Sequence, residues 1–348
     1  MMLKVAFFDA KPYDREFFEA NNRDFGFELK FFTNHLTAET VELASGCQVV
    51  CIFVNDQCNG TIIEKLLQME VRLIALRCAG YNNVELPSAY QRIHVVRVPG
   101  YSPHAIAEHA TALLLTLNRK THRAYFRTRD NNFSIAGLLG FDLKDKVAGI
   151  IGTGRIGQAM IRILNGFGMR ILAFDAFPVP GLAESLDFTY VELEQLFRDS
   201  NVISIHCPLT PQTRYLINTE SMAQMKDGVV IINTGRGQLI DTQALIEGLK
   251  SRKIGAAGLD VYEEENDYFF EDFSDSFIPD DVLARLLSFN NVLVTSHQAF
   301  FTTEAMNSIA AITLRNIEDF FADKALANEI CYRCGNPECA HKLQGRCF

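Results

Sequence analysis

Short runs of Val, Ile, Leu and Phe alternate with helical patterns almost from end to end of the 348-residue chain. Two parallel strands can only be joined by a crossover, usually a helix, so this alternation marks βαβ units. The first series of runs is Val5–Asp9, Leu29–Thr33, Val49–Val54, Leu73–Arg77 and Val95–Val98. The second is Val147–Gly152, Ile171–Asp175, Val202–His206, Val229–Thr234, Gly255–Asp260 and Val292–Ser296. Most are apolar on both faces, as strands covered by helices on either side must be. At roughly 100–200 residues per domain the length suggests two or three domains, and the two series are read as two α/β domains, each a doubly wound parallel sheet. Between them, Ile106, Ala110, Leu113, Leu114 and Leu117 give Pro103–Lys120 a helical stripe, which Ser102 can cap. A further helix is predicted over Thr302–Phe320, with its packing partner left open.

Composition removes several classes of function. With 48% hydrophobic and 22% charged residues, the chain has the makeup of a soluble globular protein. No apolar run approaches the roughly 18 residues of a membrane span. A net charge of −9 argues against nucleic acid as the main partner. The basic cluster from Arg119 to Arg129 is better read as a solvated helix face or an oligomer contact. The first residues form a strand pattern rather than a secretory signal. Of nine cysteines, Cys47, Cys51, Cys58, Cys78 and Cys207 sit in or beside apolar runs and read as buried, reduced thiols. A cytoplasmic location is expected.

The strongest chemical signal is Gly152-Thr153-Gly154-Arg155-Ile156-Gly157, which ends a strand and opens a helix. In such a motif Gly152 permits the tight turn, Gly154 lets a pyrophosphate approach the backbone, and Gly157 lets the helix pack on the strand. The helix start offers unpaired N–H groups to the phosphates. Asp175 ends the next strand, 23 residues after Gly152. It can accept hydrogen bonds from ribose hydroxyls and would repel a 2′-phosphate, which favours NAD over NADP.

Ligands of doubly wound sheets bind beyond the carboxyl ends of the strands. At such ends lie His206-Cys207-Pro208, Thr234-Gly235-Arg236-Gly237, Asp260 with Glu263, Glu264 and Glu265, and His297. An Arg, a carboxylate and a His together can move a hydride between nicotinamide and a 2-oxo acid. The Arg grips the substrate carboxylate with two prongs, which Lys cannot do. The His passes a proton to the carbonyl oxygen, and a neighbouring carboxylate favours its imidazolium form. The chemistry does not choose among the three glutamates.

The residues resemble a known family, the D-specific 2-hydroxyacid dehydrogenases, and among them the fermentative D-lactate dehydrogenases most. The likeness is carried by Val54-Asn55-Asp56, the run Arg72 to Gly80, Arg97-Val98-Pro99 followed by Tyr101-Ser102-Pro103, and Asn118-Arg119-Lys120. It continues through Gly152 to Gly157, His206 to Pro211, Asp260 to Glu264 and His297 to Phe301, and extends to about Ala322. It implies NADH-dependent reduction of pyruvate to D-lactate, with Arg236 on the substrate carboxylate, His297 as acid/base and Glu265 as its partner. Arg155, Ile156, Asp175, Cys207, Pro208, Thr213, Thr234 and Asp260, with the adjoining His206 and Gly235, match coenzyme positions. Cys78, Ala79, Gly80, Tyr101 and Phe300 match substrate positions. Gly235 stands where the family often has Ser.

The resemblance also implies a flavodoxin-like catalytic domain (residues 1–101 plus 301–330) and a Rossmann NAD-binding domain (102–300), with a cleft between them. A homodimer or homotetramer is expected, with the helix from Pro103 and the basic stretch after it as a candidate seam. The remaining segment, 331–348, departs from it. There Cys331, Cys334, Cys339, His341 and Cys347 follow the pattern C-x2-C-x4-C-x-H-x5-C. Four soft ligands with a C-x2-C start suit a structural zinc or an iron–sulfur site, while a plain extension of reduced thiols is the other reading.

Overall fold

The structure, a computed structural model, describes residues 2–265, 268–334, 339 and 341–348. The chain divides into two compact units, Met1–Ser102 with Phe301–Phe348, and Pro103–Phe300. The cysteine-bearing tail, set apart as an extension by its composition, lies within the first unit. Among the described residues no helix is long and apolar enough to cross a membrane.

The first unit holds a parallel sheet of β1 (Lys4–Phe7), β2 (Glu28–Phe31), β3 (Val49–Ile52), β4 (Leu73–Leu76) and β5 (His94–Val96). Their order, β2-β1-β3-β4-β5, is that of flavodoxin-like sheets. All four residues of β3 and of β4 are buried, as their unbroken apolar runs require. The helix Thr303–Phe321 returns to this sheet, capped by the Thr302 hydroxyl and packed against the helix Pro12–Asn22, where Asn21 donates to Asn307 at 3.1 Å. Past the end of β4, Arg77 is fully buried. It pairs with Asp14 at 3.3 Å, donates to the Asp9 carbonyl at 2.7 Å and lies 4.9 Å from the centre of the Phe53 ring. A buried guanidinium persists only with such partners.

The second unit holds β6 (Val147–Ile151), β7 (Arg170–Phe174), β8 (Thr189–Tyr190), β9 (Val202–Ile205), β10 (Val229–Asn233), β11 (Ile254–Leu259) and β12 (Val292–Val294). Their order is β12-β11-β10-β9-β6-β7-β8. Counted within the unit, this is the Rossmann order with one added edge strand, and the direction of winding reverses between β6 and β9. The two-residue β8 had no counterpart in the sequence pattern, because two residues are too few to set up an alternation. Leu113, Leu114 and Leu117 of the helix Pro103–Arg119 are buried with Ile150, Met160, Val230 and Ile232 in one core.

At the reversal, Gly152 has φ +97°, and a Cβ there would stand 2.7 Å from the Cys207 nitrogen. A Cβ on Gly157 would stand 2.0 Å from the Gly152 carbonyl oxygen, so the helix Arg155–Gly166 lies directly on the end of β6. Gly154 has nothing within 4 Å of the same position. Gly157→Ala should therefore cost about 1–3 kcal/mol or more through overpacking, while Gly154→Ala costs at most about 1 kcal/mol as a poorer helix cap. Urea unfolding of the two variants reads this directly; equal midpoints would contradict it.

Candidate active site

The glycine loop is held by the carboxylate predicted to read the ribose. Asp175 Oδ2 accepts the Thr153 backbone N–H at 2.6 Å and the Thr153 hydroxyl at 2.9 Å, while Oδ1 accepts the Phe177 N–H at 2.9 Å. The helix that follows has no side-chain cap, so its first N–H groups have no side-chain partner. Arg155 is exposed and Ile156 half-buried there. An open approach at Gly154 beside uncapped amides and a carboxylate fits a dinucleotide.

Across the reversal, His206 Nε2 and the Ser204 hydroxyl are 2.9 Å apart. Burial pushes the imidazole down to about 4, so it is neutral near pH 7 and bonded to its own strand. Burial raises the Cys207 thiol to about 11, leaving an uncharged, apolar surface. The Thr213 hydroxyl donates to the Pro208 carbonyl at 2.7 Å and accepts the Thr210 N–H at 2.7 Å, closing the loop. His206, Cys207, Pro208 and Thr213 thus present backbone and uncharged side chains at this strand end.

After β10, Asn233 braces the turn that carries Arg236. Its Nδ2 donates to the Arg236 carbonyl at 2.9 Å and its Oδ1 accepts the Gly235 N–H at 3.0 Å. The buried Thr234 hydroxyl has no hydrogen-bond partner among the described residues, as a group awaiting a ligand would. A Cβ on Gly235 would meet nothing closer than 3.4 Å, so the Ser common in the family would fit; the departure is chemical, not steric. A Cβ on Gly237 would fall 2.1 Å from the Tyr262 carbonyl, so the Arg236 turn lies against residues 262–263.

That neighbouring segment separates the three glutamates. Glu263 accepts the Thr242 N–H and the Tyr215 hydroxyl, both at 2.8 Å, and Glu264 is exposed. Glu265 Oε1 lies 2.8 Å from His297 Nδ1, and its Oε2 accepts the Tyr262 N–H at 3.1 Å. The His297 side chain keeps 19% exposure, enough to reach a substrate. Its backbone is left-handed, φ +51°, and its N–H donates to the Asp260 carbonyl at 2.8 Å.

Asp260 matched a coenzyme position, but its carboxylate is fully buried and already engaged. It accepts the Thr295 hydroxyl at 2.6 Å and the N–H groups of Gln298 and Ala299 at 2.9 and 2.8 Å, and His109 Nε2 lies 3.3 Å away. Its bonds shape the 295–299 turn. Asn233, His109 and Thr295 carry no such signal in the sequence: Asn233 is hidden in a strand run, and no spacing ties His109 to residue 260.

The remaining positions are placed as follows. Cys78, Ala79, Gly80 and Tyr101 belong to the first unit, and the buried Phe300 closes the second. In the 78–80 loop, the carbonyls of Cys78, Ala79 and Gly80 accept the Val98 N–H at 3.1 Å, Arg97 Nη1 at 2.7 Å and the Cys78 thiol at 3.3 Å. In the tail, the sulfurs of Cys331, Cys334, Cys339 and Cys347 cluster. His341 does not join them, because its Nε2 lies 2.7 Å from the Leu326 carbonyl oxygen, which removes it from the five predicted ligands.

Comparison with known proteins identifies the family. The sequence profile of the D-isomer specific 2-hydroxyacid dehydrogenases, NAD binding domain, matches residues 111–299. The D-lactate dehydrogenase of Escherichia coli is 53% identical over 94% of this chain and 100% of its own. The apo-structure of an Escherichia coli D-lactate dehydrogenase superposes with a TM-score of 0.87 at 50% identity, covering 94% of this chain and 100% of that one. A structure described as the pyruvate reductase of Chlamydomonas reinhardtii gives 0.89 at 42% identity, covering 94% and 98%. The chain belongs to the D-isomer specific 2-hydroxyacid dehydrogenase family and is an NAD-dependent enzyme of that family.

Proposed function

We propose that this enzyme reduces pyruvate to D-lactate and catalyses the reverse oxidation, with Arg236, Glu265 and His297 as its catalytic set. The observation that carries the reading is the Glu265–His297 pair, flanked by the Arg236 turn, at the carboxyl ends of the sheet that bears the glycine loop. The names of the relatives at 53% and 42% identity support pyruvate and lactate as the substrate pair.

When bound, NADH supplies the hydride. Arg236 swings from the Gly235 carbonyl, 2.7 Å away, and pairs both its prongs with the substrate carboxylate. His297 gives its Nε2 proton to the carbonyl oxygen as the carbonyl carbon is reduced, and takes it back in oxidation. Glu265 on Nδ1 fixes the ring and balances its charge. Asp260 is a positioning residue, since its oxygens hold the turn that presents His297. The uncapped N–H groups of the 155–166 helix and the unpartnered Thr234 hydroxyl bind the coenzyme, and the Asp175 charge selects NADH. The Cys78–Gly80 loop and Tyr101 add substrate contacts on this reading.

Two wider features belong with it. Tyr125 and Phe126 in the basic stretch, and Phe133, Ile135 and Leu139 just after it, are exposed at 55, 63, 74, 83 and 89%, which supports a homo-oligomer that covers them. Nine free cysteines support a reducing, cytoplasmic setting.

The test of the reading is the loss of NADH absorbance with a panel of 2-oxo acids. Pyruvate should be consumed fastest; a preference for a bulkier acid, or no consumption, would overturn it. Arg236→Lys should lower kcat/KM for pyruvate by at least about tenfold, because a point charge cannot reproduce the paired contact. Retained kcat/KM would remove Arg236 from the carboxylate. Asp175→Ala should narrow the NADH-to-NADPH preference by about tenfold or more, the worth of roughly 1.4 kcal/mol of repulsion. An unchanged preference would mean that another group reads the ribose.

A further inference from the structure

The four tail thiols take no part in the hydride chemistry, yet their sulfurs all lie within 4.8 Å of one another, with Cys331 and Cys339 4.0 Å apart. Around one tetrahedral zinc at about 2.3 Å, four sulfurs stand about 3.8 Å apart. A disulfide needs about 2.05 Å, and every cysteine of the chain is free. A cluster of several irons has a wide core and needs its cysteines further apart. The backbone also serves the sulfurs, since Cys334 Sγ accepts the Cys331 N–H at 3.1 Å. Apolar support is thin. Of the described residues, only Tyr90 and Phe348 pack on Cys331, Cys339 and Cys347 as partly buried hydrophobics.

We propose that Cys331, Cys334, Cys339 and Cys347 bind one structural zinc ion, which clamps the C-terminus onto the β5 edge of the first sheet. Both flanks of the cluster already grip that edge. Glu329 bridges antiparallel to Val96, the Arg97 N–H donates to the Asn328 carbonyl at 3.1 Å, and the Ile330 N–H donates to the Val95 carbonyl at 2.9 Å. The buried Glu329 carboxylate bonds the His94 ring and the Cys347 N–H, each at 2.5 Å. The ring of Phe348 stacks on His94 at 4.2 Å. One ion joining Cys331 to Cys347 thus closes a loop through Glu329 and His94.

The clamp has a route inward. Beyond β5, Arg97 carries the 2.7 Å bond to the Ala79 carbonyl and lies 5.0 Å from the centre of the Tyr81 ring. Its own carbonyl accepts from Asn316 at 3.0 Å, and Asn316 accepts from Asn328 at 2.9 Å. The metal therefore steadies the strand that props the 78–80 loop; that this loop meets substrate rests on the proposed function, whereas the metal site does not.

Elemental analysis of the full chain, purified without added metal and with its thiols reduced, tests the site. About one zinc per chain is expected, falling below about a tenth in Cys334→Ser and unchanged in His341→Ala. If the serine variant fails to fold, a mercurial added to wild-type protein should release about one zinc per chain to a chromogenic chelator. Stripping the metal should lower Tm by several degrees. Less than about a tenth of an equivalent in wild type, iron in place of zinc, or loss of zinc in His341→Ala would overturn the proposal. Zinc content and NADH consumption are independent readings, so an inactive zinc protein would refute the proposed function alone, and an active zinc-free one this site alone.

Discussion

The buried carboxylate of Asp260 at the end of β11 is the constraint on which the site depends. Its two oxygens serve the Thr295 hydroxyl and the N–H groups of Gln298 and Ala299. The residue among them, His297, has the left-handed backbone that a non-glycine residue adopts only at a cost of about 1 kcal/mol or more. Holding both sides of His297 offsets that cost and leaves the ring one arrangement, with Nδ1 against Glu265. Glu265 is fixed in turn by the Tyr262 N–H, and Tyr262 is the residue that Gly237 allows the Arg236 turn to approach. Arg236 is thus linked through backbone to the Glu265–His297 pair, whose two side chains meet directly.

The same economy runs through the coenzyme half. Asp175 does two things at once: it ties the Thr153 N–H and hydroxyl, and it sets a negative charge beside the glycine loop. Gly152 and Gly157 have no room for a side chain, whereas Gly154 has room and needs none. A motif of three glycines therefore contains two packing requirements and one open approach.

Much of this was legible in the sequence because it has a period or a spacing. Eleven strands show as apolar runs, and the glycine motif shows as a strand end followed by a helix start. The two-residue β8 has neither. What a side chain bonds to is less legible. Three adjacent glutamates look alike in sequence, and only the resemblance singled out Glu265; in the structure Glu263 is spent on Thr242 and Tyr215. His341 fits a metal-ligand spacing, but its ring is turned to the Leu326 carbonyl. Asp260 matches a coenzyme position by resemblance, and no spacing shows that its oxygens also hold the 295–299 turn.

The central claim is that the Asp260-held turn presents His297 as the proton donor, and the turnover of His297→Ala at saturating pyruvate and NADH tests it most directly. The account predicts a kcat lower by roughly 10²–10⁴-fold, with NADH still bound at near wild-type affinity, since the coenzyme groups lie on other strands. A His297→Ala enzyme that turns over pyruvate at a near-normal rate would contradict it.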